Sequence, residues 1–310
     1  MTRPLLYILR SAGSKCWFLP YIRSFLGDWT PRTVVEPFAG SGVAGLTLLD
    51  EGYTKRLVLA EKDPALREFW QAGLNDPTFS QRVGAWTEQA LSLPLAAQRD
   101  FTLASIAEFE RSDKAFWILL MTRTKFNAVL KGGFKIHDVR GILTNWPPNL
   151  ASSLERLYVL RERIDLFEDG LKALEYANSP DNYAFVDPPY SASKNSPGWQ
   201  FYAQNELDHQ ALLKTLAAWK GQWQLTYDIS LETFKPLTTI IRSEVTVLRD
   251  ESGQIIAEYE KQTETSDGIL FRMPGLEWTF VEMLSGGRGA TRKKMELVIQ
   301  RSHATGIAVG

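Results

Sequence analysis

Thr33-Val34-Val35-Glu36-Pro37-Phe38-Ala39-Gly40-Ser41-Gly42 is the stretch whose reading decides the fold. Residues 33–38 are short, apolar and partly β-branched, the composition of a buried strand, and Ala39-Gly40-Ser41-Gly42 is a tight turn. Residues 43–51 then carry apolar side chains at helical spacing, with Gly52 where a glycine closes a helix. Residues 56–60 read as a second strand that ends on Glu61-Lys62-Asp63-Pro64, and residues 65–74 as a second helix. Strand, helix, strand at this spacing is a βαβ unit, and it implies a parallel sheet.

Working outward, a second sheet-like group comes late. Residues 183–186 form an apolar strand running into Asp187-Pro188-Pro189-Tyr190, followed by a polar loop, a helix over residues 208–219 and a strand at 224–227. Residues 78–165 between the two groups read as mostly helical and more polar. Near the end, residues 244–248 and 255–259 alternate about Asp250-Glu251-Ser252-Gly253-Gln254, the pattern of a β-hairpin. The expected organisation is one α/β catalytic domain over residues 1–77 and 166–310, with a helical insertion over 78–165. Residues 244–284 read as a β-rich addition.

The glycine turn allows a ligand close to the backbone at a helix N-terminus, and Glu61, 21 residues after Gly40, can accept from two ribose hydroxyls. That logic serves NAD, FAD and S-adenosylmethionine alike. Gly45 is out of register for a third dinucleotide-type glycine, and Glu-Pro-Phe-Ala-Gly-Ser-Gly fits a methyltransferase better than a dehydrogenase. Asp187-Pro188-Pro189-Tyr190 adds chemistry that a dehydrogenase has no use for. The lone pair of an exocyclic amino group is delocalised into its ring. Acceptors on both amino hydrogens, here the Asp187 carboxylate and the Pro188 carbonyl held by the rigid Pro189, draw the nitrogen toward tetrahedral geometry. Tyr190 can stack on a base flipped out of the duplex. Cytosine C5 chemistry is disfavoured, since Cys16, the one cysteine, precedes the cofactor turn and lies outside any Pro-Cys loop.

These residues resemble, in order along most of the chain, the Dam-like, D12-class DNA adenine N6-methyltransferases of bacteria and phages. The resemblance runs from Arg10-Ser11-Ala12-Gly13-Ser14-Lys15 through Glu36–Gly42 and Leu59-Ala60-Glu61 to Asp187-Pro188-Pro189-Tyr190, and ends at Thr291-Arg292-Lys293-Lys294-Met295-Glu296-Leu297. Residues 123–131 resemble the family's DNA-contacting stretch. The first motif departs from the family, with Arg10 for Lys, Ser11 for an aromatic and Ser14 for Gly. The resemblance implies a Rossmann-like class I sheet with a helical target-recognition insertion, S-adenosylmethionine as cofactor and duplex DNA as partner. It assigns the cofactor to Arg10, Gly13, Lys15, Glu36, Pro37, Phe38, Gly40, Gly42, Glu61, Asp169 and Asp187. It assigns catalysis to Asp187, Pro188, Pro189 and Tyr190, and DNA contacts to Arg123, Lys125, Phe126, Asn127 and Lys131. Arg292, Lys293 and Lys294, with Arg288, read as a phosphate-contacting patch.

Composition adds exclusions more than identity. The net charge of −1 means any basic surface is local. One cysteine permits no intrachain disulfide and fits a cytoplasmic setting, and the three scattered histidines argue against a zinc site. No stretch is long enough to span a membrane. Two other readings stay open: methylation of adenine in RNA or of a protein glutamine, for which Asn in place of Asp187 would be the better fit, and an inactive module that binds cofactor and nucleic acid. A cognate restriction system, phage protection and an epigenetic mark are equally compatible with these residues.

Overall fold

The computed structural model describes residues 6–10, 14–125, 141–189, 207–228, 246–249, 255–259, 276–285 and 292–301. Its strands are β1 (Thr33–Glu36), β2 (Arg56–Ala60), β3 (Ile164–Phe167), β4 (Asn182–Val186), β5 (Gln222–Asp228), β6 (Thr246–Arg249), β7 (Ile255–Tyr259), β8 (Leu276–Ser285) and β9 (Arg292–Arg301). Seven of them form one sheet in the order β3-β2-β1-β4-β5-β9-β8. The first five are parallel, and β9 enters antiparallel between β5 and β8. This is a Rossmann-like α/β sheet with an antiparallel strand pair at one edge.

The strands read as continuous apolar runs because both faces are covered. Val34, Leu57, Leu59, Tyr183 and Phe185 pack on one side. Their chain neighbours Val35, Val58, Ala60, Ala184 and Val186 pack on the other, at the two-residue period of a strand.

The first face carries α1 (Leu19–Leu26), α2 (Val43–Asp50), α3 (Pro64–Asn75), α4 (Phe79–Ser92), α5 (Leu95–Ser112), α6 (Lys114–Thr124) and α7 (Leu150–Leu160). The second carries α8 (Gly170–Tyr176) and α9 (His209–Ala218). Start signals are local: Asp63, Asp113, Asp169 and Asp208 each cap a helix by accepting a backbone N–H of its first turn. The helices expected as an insertion lie between β2 and β3. Phe79, Val83, Trp86, Ile106, Phe116 and Leu154 from them share one apolar core with the sheet.

Within the stretch expected as a β-rich addition to the catalytic part, residues 244–284, the described strands divide between two sheets. β6 and β7 do form a separate antiparallel pair, but β8 pairs along β9 and is the edge strand of the main sheet. A hairpin can be read locally, whereas membership of a sheet depends on which distant strand offers its edge.

Candidate active site at the sheet switch point

The chain leaves β1 through α2 toward β2, and leaves β4 through α9 toward β5 on the opposite side. A crevice opens where neighbouring strands part in this way, and ligands of open α/β sheets bind there. The loops after β1, β2, β3 and β4 all reach this edge.

The loop after β1 holds the glycine turn. The Ala39 N–H donates to the Ala60 carbonyl at 2.9 Å and the Gly42 N–H to the Ala39 carbonyl at 2.6 Å. Gly40 (φ 48°) and Gly42 (φ 60°) both take left-handed conformations, which side chains disfavour. Behind Gly42 stands the buried Trp70: a Cβ there would lie 2.9 Å from its ring. Among the described residues a Cβ on Gly40 would meet nothing within 4 Å, which leaves room for a ligand to come close to the backbone. Phe38 is half-buried against the second core.

Glu61, half-buried at the end of β2, accepts from the Gly40 N–H at 3.0 Å through Oε2 and from the Asp63 N–H at 2.9 Å through Oε1. It thus ties the glycine turn to β2. Burial pushes its carboxyl up to about 7, against the lowering effect of those two amide donors and Arg67. A carboxylate has about four lone-pair positions, so two remain for ribose hydroxyls.

Glu36, expected among the cofactor residues, is instead buried beneath the turn and accepts the Gly45 N–H at 2.8 Å. Burial pushes it up to about 8, aided by the negative charge of Asp187 and opposed by the Gly45 donor. Strand alternation turns its side chain under α2, so it supports the pocket without lining it. Pro37 also has a packing role: a Cβ on Gly170 would collide with its carbonyl, so α8 begins against the loop after β1. Asp169, just before that contact, is exposed and accepts the Lys172 N–H at 2.9 Å.

Asp187 directly follows β4, and Lys15 and Thr226 are among the groups that hold it. The buried Lys15 ammonium bridges its carboxylate, at 2.8 Å to Oδ1 and 2.7 Å to Oδ2. The Thr226 hydroxyl donates to Oδ1 at 2.8 Å. Parallel register explains Thr226: Val186 pairs with Leu225, so the next residue on each strand lies side by side. Lys15 was expected at the methionine end of a cofactor pocket; the structure pairs it with the Asp187 carboxylate. Pro188 is buried and Pro189 half-buried. Arg10 is half-buried at the start of the same N-terminal segment.

The expected DNA contacts fare differently. Arg123 is fully buried, its guanidinium donating to the carbonyls of Tyr7, Ile8 and Asn145, so a phosphate cannot reach it. Lys125 follows α6, half-buried, with burial lowering its ammonium from the usual lysine range. Arg292, Lys293 and Lys294 belong to strand β9, opposite Ser285, Leu284 and Met283, and not to a loop. Gly13, Phe126, Asn127, Lys131, Tyr190 and Arg288 lie outside the described residues. Among the described residues no cluster of His, Cys, Asp or Glu could hold a metal ion, and no helix is long and apolar enough to cross a membrane.

No protein-family model and no curated protein matches the sequence. Among solved structures, the chain is similar to precorrin 8w decarboxylase of Methanobacterium thermoautotrophicum, at 11% identity and a TM-score of 0.40 over 98% of this chain and 100% of that one. It is also similar to the rRNA methyltransferase AviRa of Streptomyces viridochromogenes, at 13% identity and a TM-score of 0.37 over 96% and 89%. Likenesses this distant say nothing about substrate; the strand order and the crevice at its switch point identify the fold.

Proposed function

We propose that the chain transfers a methyl group from S-adenosylmethionine to the N6 amino group of an adenine flipped out of duplex DNA. The observation that carries this reading is the position of Asp187 at the end of β4, beside the crevice and held by Lys15 and Thr226. A strand-ending Asp-Pro-Pro-Tyr opposite a glycine turn suits acceptance of amino hydrogens, and no other group near the crevice accounts for it better.

The residues present fit the cofactor. Gly40 leaves room at the backbone, Gly42 closes the turn on Trp70, and Glu61 has acceptor capacity for ribose hydroxyls at the next strand end. Asp169, with Arg10 and Lys15, completes the set at its two ends. Bound S-adenosylmethionine supplies an electrophilic methyl group on a sulfonium centre. Asp187 accepts one amino hydrogen of the target base, and the Pro188 carbonyl, fixed by the following proline, accepts the other. With both hydrogens held, the N6 lone pair localises toward the methyl carbon. Asp187 would take up the proton that N6 sheds once the methyl group had passed to it, with the cofactor's thioether as the leaving group. Positioning supplies most of the acceleration, and no covalent enzyme intermediate is needed. Lys15 and Thr226 keep the carboxylate in the orientation this step requires.

Sequencing DNA from a host expressing the chain, read for modified adenine, tests substrate, base and site together. N6-methyladenine at a defined motif is the expected result, absent with Asp187→Asn. Parallel incubations of DNA, RNA and protein with labelled cofactor address the alternatives: transfer to RNA alone would replace DNA as substrate, and transfer to none would leave the inactive module.

A further inference from the structure

Arg67 stands in the first turn of α3, where the helix dipole disfavours a cation, so its contacts outside the helix have to account for it. Its side chain is only 18% exposed and reaches back over the loop that follows β2. Nη1 donates to the Lys62 carbonyl at 2.8 Å and to the Glu61 carbonyl at 3.2 Å. Nη2 pairs with Oε1 of Glu168, the residue after β3, at 3.2 Å. The same two strand ends are joined by the Glu61 N–H, which donates to the Phe167 carbonyl at 3.0 Å. A planar guanidinium can serve two carbonyls and a carboxylate together, whereas a lysine ammonium is a point charge on a flexible stem.

These contacts converge on the residue assigned to the ribose. The Glu61 carboxylate accepts the amides of Gly40 and Asp63, while Arg67 fastens the backbone carbonyl of the same residue. The elements around Glu61 carry Lys62 and Asp63 in its own loop, Arg67 on α3, and Glu168, Asp169 and Lys172 past β3; the glycine turn brings no charge. Asp63 opposes a negative charge on Glu61, and Arg67 favours it. We propose that Arg67 is a positioning residue for the ribose end of the cofactor: it clamps the loop after β2 to the end of β3 and brings its cation to Glu61, so that a charged acceptor is in place when ribose hydroxyls arrive. This deepens the cofactor part of the proposed function and rests on it.

The test is calorimetric binding of S-adenosylhomocysteine to the full chain from pH 6 to pH 9, with each variant checked by circular dichroism and thermal unfolding. Wild-type affinity should rise along a profile centred near pH 7, where Glu61 ionises. Arg67→Met removes the cation and should move that midpoint up by roughly half to one pH unit, so that Kd rises about two- to fivefold more at pH 7 than at pH 9. Arg67→Lys keeps the charge without the fork; it should restore the wild-type midpoint and weaken binding equally at every pH. In a Glu61→Gln background, Arg67→Met should weaken binding by the same factor at pH 7 and pH 9. A loss of one size at every pH in Arg67→Met, a midpoint that Arg67→Lys does not restore, or a pH-dependent loss that persists with Glu61→Gln overturns the proposal and leaves the cofactor reading intact. So does a wild type that binds the probe equally at every pH. A wild type that binds no probe overturns both. Should Arg67→Met fail to fold, Arg67→Gln, which is neutral and still donates to a loop carbonyl, carries the same expectation and the same overturning result.

Discussion

Asp187 is reached by a lysine 172 residues away in the chain and by a threonine on the adjoining strand, and those contacts govern what its replacement reports. Asp187→Ala would take an ion-pair partner from the buried Lys15 ammonium, and breaking such a pair costs about 3–5 kcal/mol, so lost activity would be confounded with lost fold. Asp187→Asn keeps one acceptor oxygen for Lys15 and Thr226 and removes the charge and the second acceptor. It should lower single-turnover methyl transfer at least ~100-fold, with thermal midpoint and S-adenosylhomocysteine Kd little changed. An unaltered rate in the folded variant would exclude Asp187 from the chemistry. Two carboxyls carry pH dependence. Glu61 ionises at about 7, and its ionised form is the better acceptor for ribose hydroxyls. Cofactor binding measured by calorimetry should therefore tighten as pH rises from 6 to 8, and Glu61→Gln should flatten the profile. Glu36 is raised from 4.5 to about 8, so the stability its bound proton provides is complete below 4.5 and is lost as pH rises through 8. Glu36→Gln, which can still accept the Gly45 N–H, should raise the thermal midpoint over wild type at pH 9 and make little difference at pH 4.

At the scale of elements, the glycine turn is the part most sensitive to a single carbon. Gly42→Ala meets two obstacles together, the left-handed backbone at φ 60° and the Trp70 ring 2.9 Å from the new Cβ. The turn or α3 must shift, and the Gly40 peptide moves with it. Cofactor Kd should rise about tenfold or more and stability should drop by about 1–3 kcal/mol, read by calorimetry and denaturant unfolding. Unchanged cofactor affinity would show that the turn does not form the pocket. The turn, the flanking strands β1 and β2 and the Asp187 strand end were all legible in the sequence, because β-branched runs, glycines and prolines act through local sterics. What escaped depends on distant pairing. Thr226 meets Asp187 only through the β4–β5 register, and β8 joins the main sheet only because β9 presents its edge. Arg123 looked like a surface cation because nothing nearby in sequence announces the carbonyl of Ile8, 115 residues away, that makes its burial tolerable. Lys15 and Asp187 were both marked as site residues by motif position, but their pairing was not legible.

At the scale of the whole molecule, one apolar cluster among the described residues joins the sheet to the helices expected as an insertion. Val34, Leu57, Leu59, Tyr183 and Phe185 of the sheet lie in one cluster with Phe79, Trp86, Phe116, Leu154 and Leu157 of the helices between β2 and β3. Gly73 of α3 sits so close to Leu157 of α7 that a Cβ there would come within 2.8 Å. Helices that bury their apolar faces against the sheet cannot unfold without exposing it, so the two parts should melt as one unit. Trp86 and Trp146 sit within the helical part, their ring centroids 4.8 Å apart, while Trp219 and Trp223 sit on the opposite face of the sheet. Tryptophan emission and far-ultraviolet dichroism should therefore report one coincident transition, with calorimetric and van't Hoff enthalpies in agreement. Saturation with S-adenosylhomocysteine at about 100 times its Kd should move that single transition upward, by the equivalent of roughly 2.7 kcal/mol. Were the helices a separable module, ligand would shift a sheet transition and leave a helical one in place. Two transitions with only one responsive to ligand would refute the shared core.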